Sequence, residues 1–353
     1  MRIGLAGAGR IGARHAAALS ALPEVDSLVI ADVDPSRARL LADSLTGDDT
    51  GAPASPDAPS GQAGTARLAV LDEVAGLFTA GLDGLVVAAA TGAHAELVTR
   101  AVARGLPVFC EKPLAGDLDG TFQIVSAAES AGVPVQVGFQ RRFDAGNQAA
   151  REAVASGRLG WLHTVRSCSF DPAPPPAAYV ATSGGLFRDC VIHDLDLIRY
   201  VTGRDAVSVA ASGANRGDAF FREHGDIDTG GALLVLDDGT LAQVAATRYN
   251  AAGYDARLEL FGSKDSVVAG LDERTPITPL GASGGEQRHA YSGFMERFAD
   301  AYDAELRAFV DVVAERRANP CPPRAALEAF YLAEACALSL REGRIVAVAE
   351  VRR

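Results

Sequence analysis

The stretch GGLFRDCVIHDLDLIRY, residues 184–200, places carboxylates and an imidazole at helical spacing. Asp189 and His193 are four residues apart, and Asp196 and Tyr200 follow at intervals of three and four. Residues three or four apart share one face of an α-helix, so the spacing predicts a polar face opposite an apolar one. An imidazole beside carboxylates could move a proton near neutral pH or ligate a divalent ion.

Metal coordination is the less favoured of these two possibilities. An i, i+4 pair of ligands on a helix is a known device, but no second segment supplies a matching histidine pair. His94, His163, His224 and His289 stand alone in the sequence. Nucleophilic hydrolysis is also disfavoured, because the chain has no G-x-S-x-G turn. We therefore predict that the site contains no metal.

A second group of residues predicts a dinucleotide site at the start of the chain. GLAGAGRIGARH contains Gly7, Gly9 and Gly12 as G-x-G-x-x-G, directly after an apolar strand and at the start of a helix. In that context the first glycine makes the tight turn, the second lets the backbone approach a pyrophosphate, and the third lets helix and strand pack closely. Arg10 and Ile11 complete the predicted cofactor-binding turn.

The predicted cofactor is NAD. Asp32 ends the second apolar strand, 20 residues after Gly12, where a carboxylate can accept hydrogen bonds from the ribose hydroxyls. A carboxylate there repels a 2′-phosphate, which disfavours NADP. Arg37 could soften that preference, although a solvated helix face is the better interpretation of that residue.

Two later loops should border the same cofactor. AAATGAHAELV (88–98) follows the fourth predicted strand and CEKPLAGD (110–117) follows the fifth. Ligands of doubly wound sheets bind at the carboxyl ends of the strands, so both loops should face the nicotinamide half. The candidates on them are Thr91, His94, Glu111 and Lys112.

The elements that must position these residues fall into two patterns. Up to about residue 140, continuous apolar strands alternate with helices, which predicts an α/β domain with a doubly wound parallel Rossmann sheet. From 141 to 353 the strands are mainly joined by turns, with helices near the end, which predicts an α+β domain with a large open, mostly antiparallel sheet. The last helix could pack back on the first domain. The Gly-, Pro- and Ser-rich stretch at about 46–66 is interpreted as a flexible insertion.

Composition narrows the partners. The chain has 353 residues, 48% of them hydrophobic, and a net charge of −12 without basic runs, which argues against nucleic acid and an anionic membrane surface. No apolar run is long enough to span a bilayer. Five cysteines without a CxxC pair are typical of reduced thiols, so we expect a cytoplasmic protein. The open sheet face predicts a homo-oligomer, a dimer or a tetramer.

Taken together, these motifs resemble the Gfo/Idh/MocA oxidoreductase family. The family resemblance is carried by the glycine turn with Asp32, by TGAHAELV, by EKPL and by GGLFRDCVIHDLDLIRY. VGFQRRFD, DPAPPPAAYV, GYDARLELFGS and FMERFADAYDAELRAFV resemble the inositol 2-dehydrogenase branch more narrowly. The resemblance covers nearly the whole chain except the insertion. It implies oxidation of a secondary ring hydroxyl of a cyclic polyol with NAD, myo-inositol to its 2-keto form.

The resemblance also implies roles for individual residues. Lys112 should hydrogen-bond the reacting hydroxyl, His193 should act as general base, and Asp189 should bind substrate hydroxyls; these three form the implied catalytic set. Arg142 and Tyr254 match positions that contact the polyol. Asp171 and His163 are weaker candidates.

Alternatives remain open at this stage. Phe170 stands where inositol dehydrogenases usually have an Arg, so the preferred substrate could be another inositol isomer, a pyranose or an anhydrosugar. A tightly held cofactor could pass hydride between two sugars. A non-enzymatic NAD and sugar sensor is a further possibility, but such proteins tend to lose the Lys or the His, and this chain has both Lys112 and His193.

Overall fold

The computed structural model describes residues 1–46, 66–278, 280 and 289–352, so nearly all of the predicted insertion at 46–66 lies outside the described residues. The strands are β1 (Arg2–Ala6), β2 (Ser27–Ala31), β3 (Arg67–Leu71), β4 (Gly84–Val87), β5 (Val108–Glu111), β6 (Val135–Gly138), β7 (Leu162–Phe170), β8 (Ala206–Ala214), β9 (Thr229–Leu236), β10 (Leu241–Thr247), β11 (Asp255–Gly262), β12 (Ser266–Ala269) and β13 (Val346–Ala347). The α-helices are α1 (Arg10–Ser20), α2 (Pro35–Thr46), α3 (Thr91–Val102), α4 (Leu118–Ala131), α5 (Ala145–Ala155), α6 (Ala177–Val180), α7 (Ile192–Thr202), α8 (Phe220–Glu223), α9 (Phe294–Arg297), α10 (Ala299–Val313) and α11 (Pro323–Glu342).

The first compact unit contains residues Met1–Gln140 and Asp300–Leu327. Its sheet has the strand order β3-β2-β1-β4-β5-β6, and every neighbouring pair is parallel. The order reverses between β1 and β4, which is the switch point where doubly wound sheets bind ligands. The Rossmann architecture predicted from the apolar strands is confirmed.

The assignment of 300–327 corrects the predicted division of the chain. The sequence placed this segment in the second domain, but it belongs to the first unit, and the unit boundary falls inside α11. The reason is the apolar face of α10, because Leu306 and Phe309 are buried in the same core cluster as Ile3 and Leu5 of β1. Burying such side chains stabilises a fold by roughly 1.5–3 kcal/mol each.

The second unit contains Arg141–Ala299 and Glu328–Arg353. Its sheet has the order β12-β11-β7-β10-β9-β8-β13 and is antiparallel except for the β10–β7 pair. The DDGT turn between β9 and β10 has Gly239 at φ 87°, a conformation that favours glycine. Along β10, side chains alternate between buried and exposed, so one face of the sheet is packed and the other is open. The predicted mostly antiparallel open sheet is confirmed.

No described helix combines the length and the apolar character needed to cross a membrane. The five cysteines are all buried free thiols.

Candidate functional site

The glycine turn of the first unit has the geometry that its spacing predicts. Gly7 adopts φ +107° and donates its N–H to the Ala31 carbonyl at 2.8 Å. A Cβ on Gly12 would lie 2.0 Å from the Gly7 oxygen, so only glycine allows this approach of α1 to the turn. A Cβ on Gly9 would meet nothing within 4 Å, which leaves open space beside the N-terminus of α1, where Arg10 is the first helical residue. An anionic pyrophosphate fits such a helix N-terminus.

Asp32 follows β2 and is fixed against this turn. Its Oδ2 accepts the Ala8 N–H at 2.7 Å, and its Oδ1 accepts the Asp34 N–H at 2.9 Å. Each carboxylate oxygen has a further lone pair, so the group can still accept hydrogen bonds from ribose hydroxyls. Asp32 therefore fits the NAD role that its position in the sequence predicts.

His94, a predicted cofactor residue, contacts backbone carbonyls of two loops. Thr91 is the first residue of α3, and His94, on the first turn of that helix, is buried. Its Nδ1 is 2.8 Å from the Pro113 carbonyl oxygen and its Nε2 is 3.0 Å from that of Ala89. The ring therefore contacts both the loop after β4 and the loop after β5, and its assignment to the cofactor stays a prediction.

Glu111 and Lys112 follow directly in the second of these loops. Glu111 is the last residue of β5, and its Oε2 accepts the Lys112 backbone N–H at 3.2 Å. The Lys112–Pro113 peptide bond is cis. The Lys112 residue is half-buried. This unit therefore places an amine at the carboxyl end of β5, on the edge of the sheet that binds ligands in this fold.

In the second unit, the helix of residues 184–200 does not have uniform geometry. Gly184 and Gly185 have φ values of +82° and +92°, and a π-helical turn covers Phe187–Val191 before α7 begins at Ile192. A π turn closes i→i+5 hydrogen bonds, so the angle between Asp189 and His193 differs from that of an α-helix. The predicted α-helical spacing therefore does not hold between Asp189 and His193, whereas His193, Asp196 and Tyr200 keep it on α7. π turns occur frequently at functional sites.

Asp189 is held by two side chains of the same unit. Its Oδ1 accepts the Tyr179 hydroxyl at 2.7 Å, and its Oδ2 accepts the Arg248 Nη2–H at 2.5 Å. Arg248 also donates from Nη1 to Asp171 Oδ2 at 2.7 Å. The guanidinium thus bridges two carboxylates, and all three groups are largely buried. His193 is buried on the first turn of α7.

Burial and charge act in opposite directions in this network. Burial alone would lower the pKa of Arg248, but Cys190, Asp189 and Asp171 raise it above its usual range. Burial raises the pKa of Asp171, and the charge of Arg248 only partly offsets that. Arg248 therefore stays cationic and is the group that allows two carboxyls to be buried together.

Replacing Arg248 with Met should destabilise the protein. The substitution leaves Asp171 and Asp189 buried without their cation, and breaking a buried ion pair from one side costs about 3–5 kcal/mol. Urea unfolding of parent and variant measures the difference. Arg158→Met, which removes the exposed pair with Asp265, is the matched control and should change the free energy of unfolding far less. Equal losses in both variants would contradict the bridging role of Arg248.

Two further residues of the predicted polar face, Asp196 and Tyr200, contact a different arginine, Arg142. Arg142 donates to both oxygens of Asp196, at 2.8 and 2.5 Å, and its guanidinium lies 5.0 Å from the centre of the Tyr200 ring. Both partners of this ion pair are buried. This ion pair fixes the Arg142 guanidinium within the second unit, and its contact with the polyol stays a prediction.

The neighbouring residue, Arg141, contacts the other predicted substrate residue. It donates to Asp194 Oδ1 at 3.1 Å, to Ser169 at 2.8 Å and to the Tyr254 hydroxyl at 3.4 Å. Tyr254 is buried, and burial raises the pKa of its phenol. Tyr254 thus belongs to a buried polar group around Asp194, a residue that the helical spacing did not single out.

Phe170 affects another surface. Side chains of a strand alternate between its two faces. Ser167 and Ser169 of β7 turn inward and donate to Asp194, at 2.5 and 2.6 Å. Phe170 therefore lies with Arg166 and Cys168 on the opposite, open face of the sheet. The presence of Phe170 instead of the expected Arg therefore changes the open face of the sheet and does not change the groups around Asp189.

The sequence analysis did not identify Arg248 or Tyr179 as site residues. The signal for Arg248 is an arginine directly after an otherwise apolar strand, in TRYN. That signal becomes specific only when β10 is known to lie parallel to β7, because the parallel register brings Arg248 beside Asp171.

The parallel sheet, the glycine turn and the fixed carboxylate after β2 define a dinucleotide-binding Rossmann domain, followed by a domain with an open, mixed sheet. The family model described as an oxidoreductase family with an NAD-binding Rossmann fold matches residues 1–139, and that of the GFO/IDH/MocA C-terminal domain matches residues 147–268. The chain belongs to the Gfo/Idh/MocA oxidoreductase family, and the resemblance stated from its motifs is confirmed.

Named relatives of this chain include inositol dehydrogenases. It is 38% identical over 320 residues to the myo-inositol dehydrogenase Hyg17 of Streptomyces leeuwenhoekii, covering 91% of this chain and 90% of that protein. It is 32% identical to the myo-inositol 2-dehydrogenase of Thermotoga maritima, covering 99% of each. The crystal structure of scyllo-inositol dehydrogenase from Lactobacillus casei, with NAD(H) and scyllo-inositol bound, aligns with a TM-score of 0.83 at 28% identity, covering 99% of each chain.

Proposed function

We propose that the protein is an NAD-dependent dehydrogenase that oxidises myo-inositol at a secondary ring hydroxyl to the 2-keto form. The observation that carries the proposal is the buried Asp189 held by Tyr179 and Arg248, close in sequence to the His193 imidazole, in a chain whose other unit is an NAD-binding domain. A polyol requires many fixed hydrogen-bonding groups, and this unit contains them. Sugar sensors of the same family need no general base, so retention of His193 and Lys112 favours an enzyme.

Each residue has a distinct task in this proposal. The nicotinamide supplies an acceptor for the hydride from the carbinol carbon. His193 takes the hydroxyl proton, and the Lys112 ammonium stabilises the negative charge that develops on that oxygen. Asp189, which Tyr179 and Arg248 hold in a fixed position, accepts hydrogen bonds from substrate hydroxyls. An inverted hydroxyl would leave one of these groups unpaired, which gives discrimination between isomers.

Formation of NADH tests the proposal directly. Purified protein is incubated with NAD or NADP and with myo-, scyllo- and D-chiro-inositol, glucose, xylose and an anhydrosugar, and NADH absorbance is recorded. We expect turnover with myo-inositol and NAD. Turnover of a pyranose alone would support an NAD-dependent dehydrogenase but contradict myo-inositol as its substrate. NAD binding without any turnover would favour a sensor or a cofactor that is never released.

We also propose that the protein forms a homotetramer through the open sheet face of the second unit. This face exposes apolar side chains that a monomer would leave in water, among them Leu233 at 40% and Leu241 at 40% exposed. Large apolar and aromatic side chains on one surface are typical of subunit interfaces. The five buried free thiols support a reducing, cytoplasmic location.

Charged substitutions on the open sheet face should break the assembly. Leu241→Glu together with Leu233→Glu places two carboxylates on neighbouring strands of the proposed interface, and sedimentation equilibrium should show a smaller species than the parent. Leu40→Glu, at an exposed residue of α2 in the first unit, is the control and should sediment like the parent. A parent that sediments as a monomer would contradict this proposal.

A further inference from the structure

A second group of titratable side chains lies in the first unit, and the proposed reaction does not use it. His15 on α1, Glu111 at the end of β5 and Glu305 on α10 bring one nitrogen and two carboxylate oxygens within 4.8 Å of one another. His15 and Glu305 are fully buried, and Glu111 is 13% exposed at its side chain. Burying polar side chains costs free energy unless they are paired, so the contacts within this cluster need an explanation.

The contacts connect α1 to the loop that contains Lys112. Glu111 Oε1 is 2.7 Å from His15 Nε2, while Glu111 Oε2 accepts the Lys112 backbone N–H at 3.2 Å. The His15 ring packs edge-on against Phe109, which lies on β5 with Glu111, and the ring centres are 5.2 Å apart. The Glu111 carboxylate is thus held on one oxygen by a fixed imidazole, and on the other it holds the Lys112 peptide.

Glu305 has a different environment from Glu111. Neither of its carboxyl oxygens has a hydrogen-bond partner among the described residues, although both are buried. Arg14 of α1, which could have neutralised it, is paired with Asp303 at 2.7 Å. Burial is the main cause that raises the pKa of Glu305 well above its usual range, and the charge of Glu111 raises this pKa further. Only the charge of Arg14 lowers it. A neutral carboxylic acid avoids the repulsion that a second carboxylate at this position would have with Glu111.

We propose that His15 and the neutral acid Glu305 enclose the Glu111 carboxylate and so position Lys112. This inference rests on the proposed role of Lys112. His15 supplies the hydrogen bond to Glu111, and Glu305 fills the third side without adding negative charge. Both are positioning residues, because neither has to touch substrate or cofactor.

A divalent metal held by the same three residues is the competing interpretation. Two ligands of a tetrahedral ion with bonds of about 2.0–2.1 Å are separated by about 3.3 Å. The 2.7 Å between His15 Nε2 and Glu111 Oε1 is shorter than that and matches a hydrogen bond. The geometry therefore favours a proton between these two groups.

Two substitutions of His15 test its positioning role. His15→Leu removes the donor and should lower kcat on the order of 10²-fold, the effect of a slightly misplaced reacting group, while the dissociation constant for NAD changes less than about threefold. His15→Gln restores an N–H donor and should recover kcat to within about tenfold of the parent. Parental kcat in the Leu variant, or no recovery in the Gln variant, would overturn the role of His15.

The proton on Glu305 is tested without any turnover. The raised pKa of Glu305 means that the folded protein retains a proton which the unfolded chain releases near the ordinary glutamate pKa of 4.5. Stability from this group is therefore complete below that pH and declines as pH rises toward the folded pKa. Glu305→Gln does not titrate, so its stability relative to the parent should increase as pH rises above about 4.5. Glu223→Gln, at an exposed residue, should give a flat difference.

Infrared spectroscopy completes the experiment. The parent at neutral pH should show the carbonyl band of a buried carboxylic acid, and Glu305→Gln should lack it. No such band, or stoichiometric Co²⁺ binding that Glu305→Gln abolishes, would overturn the proposal. A parent that oxidises no polyol would contradict the proposed function alone, and the infrared band and the pH series would still decide the state of Glu305.

Discussion

Lys112→Met should abolish turnover of the polyol while NAD still binds. Methionine keeps most of the length of the side chain but removes the positive charge that stabilises the developing alkoxide. Loss of one such donor typically lowers kcat by about 10²–10³-fold. The backbone N–H of residue 112 remains, so its hydrogen bond to Glu111 Oε2 should persist. Steady-state kinetics give kcat, and calorimetric titration gives the dissociation constant for NAD.

The composition of the chain provides a matched control for this experiment. The sequence contains only two lysines, Lys112 and Lys264, and Lys264 is exposed in the second unit. Lys264→Met should retain the parental kcat. Lys112→Arg separates charge from geometry, because a guanidinium keeps the charge but has a planar donor arrangement. If Lys112→Met keeps kcat within threefold of the parent, Lys112 does not have the proposed role.

The nucleotide half could be predicted because its signals are local. Gly7, Gly9 and Gly12 lie within one turn between a strand and a helix, where Gly7 has a positive φ and a Cβ on Gly12 would clash with the Gly7 oxygen. Asp32 follows the next strand, whose parallel pairing with β1 is the usual consequence of a βαβ unit. Short sequence separations leave few alternative arrangements, so motif spacing predicts the fold there.

The polyol half could be predicted only in part, because its contacts join distant residues. Arg248 reaches Asp189 across 59 positions and Asp171 across 77. Nothing in the spacing of these residues indicates that β10 lies parallel to β7. The motif around Asp189 and His193 was identifiable by resemblance, whereas the cation that Asp189 needs depends on the sheet register.

Local helix geometry limits what residue spacing alone predicts. The π turn at 187–191 changes the angle between Asp189 and α7, whereas Asp196 and Tyr200 keep α-helical spacing on α7. The 3₁₀ turn at Gln140–Phe143, which sets the directions of Arg141 and Arg142, is likewise not visible in the sequence pattern. Local departures from regular helix geometry redirect side chains without changing the hydrophobic pattern that predicts the helix.

His193→Asn tests the second half of the proposed chemistry. Without the imidazole no positioned base remains to take the hydroxyl proton, and general base catalysis typically contributes about 10²–10⁴-fold. We expect a loss of kcat in that range with little change in NAD binding, because the cofactor is held by the other unit. The rise of kcat/KM with pH that a titrating base produces should disappear in the variant, and added imidazole should restore part of the activity.

His224→Asn is the matched control, since His224 is exposed in the second unit and has no part in the proposed reaction. It should retain both kcat and the pH profile. Parental activity in His193→Asn would exclude His193 as the base. It would not change the conclusion drawn from Lys112→Met. If both Lys112→Met and His193→Asn lose activity while NAD still binds to both, the protein is an enzyme. A sensor that binds NAD and a sugar without turnover has no catalytic step for either substitution to slow.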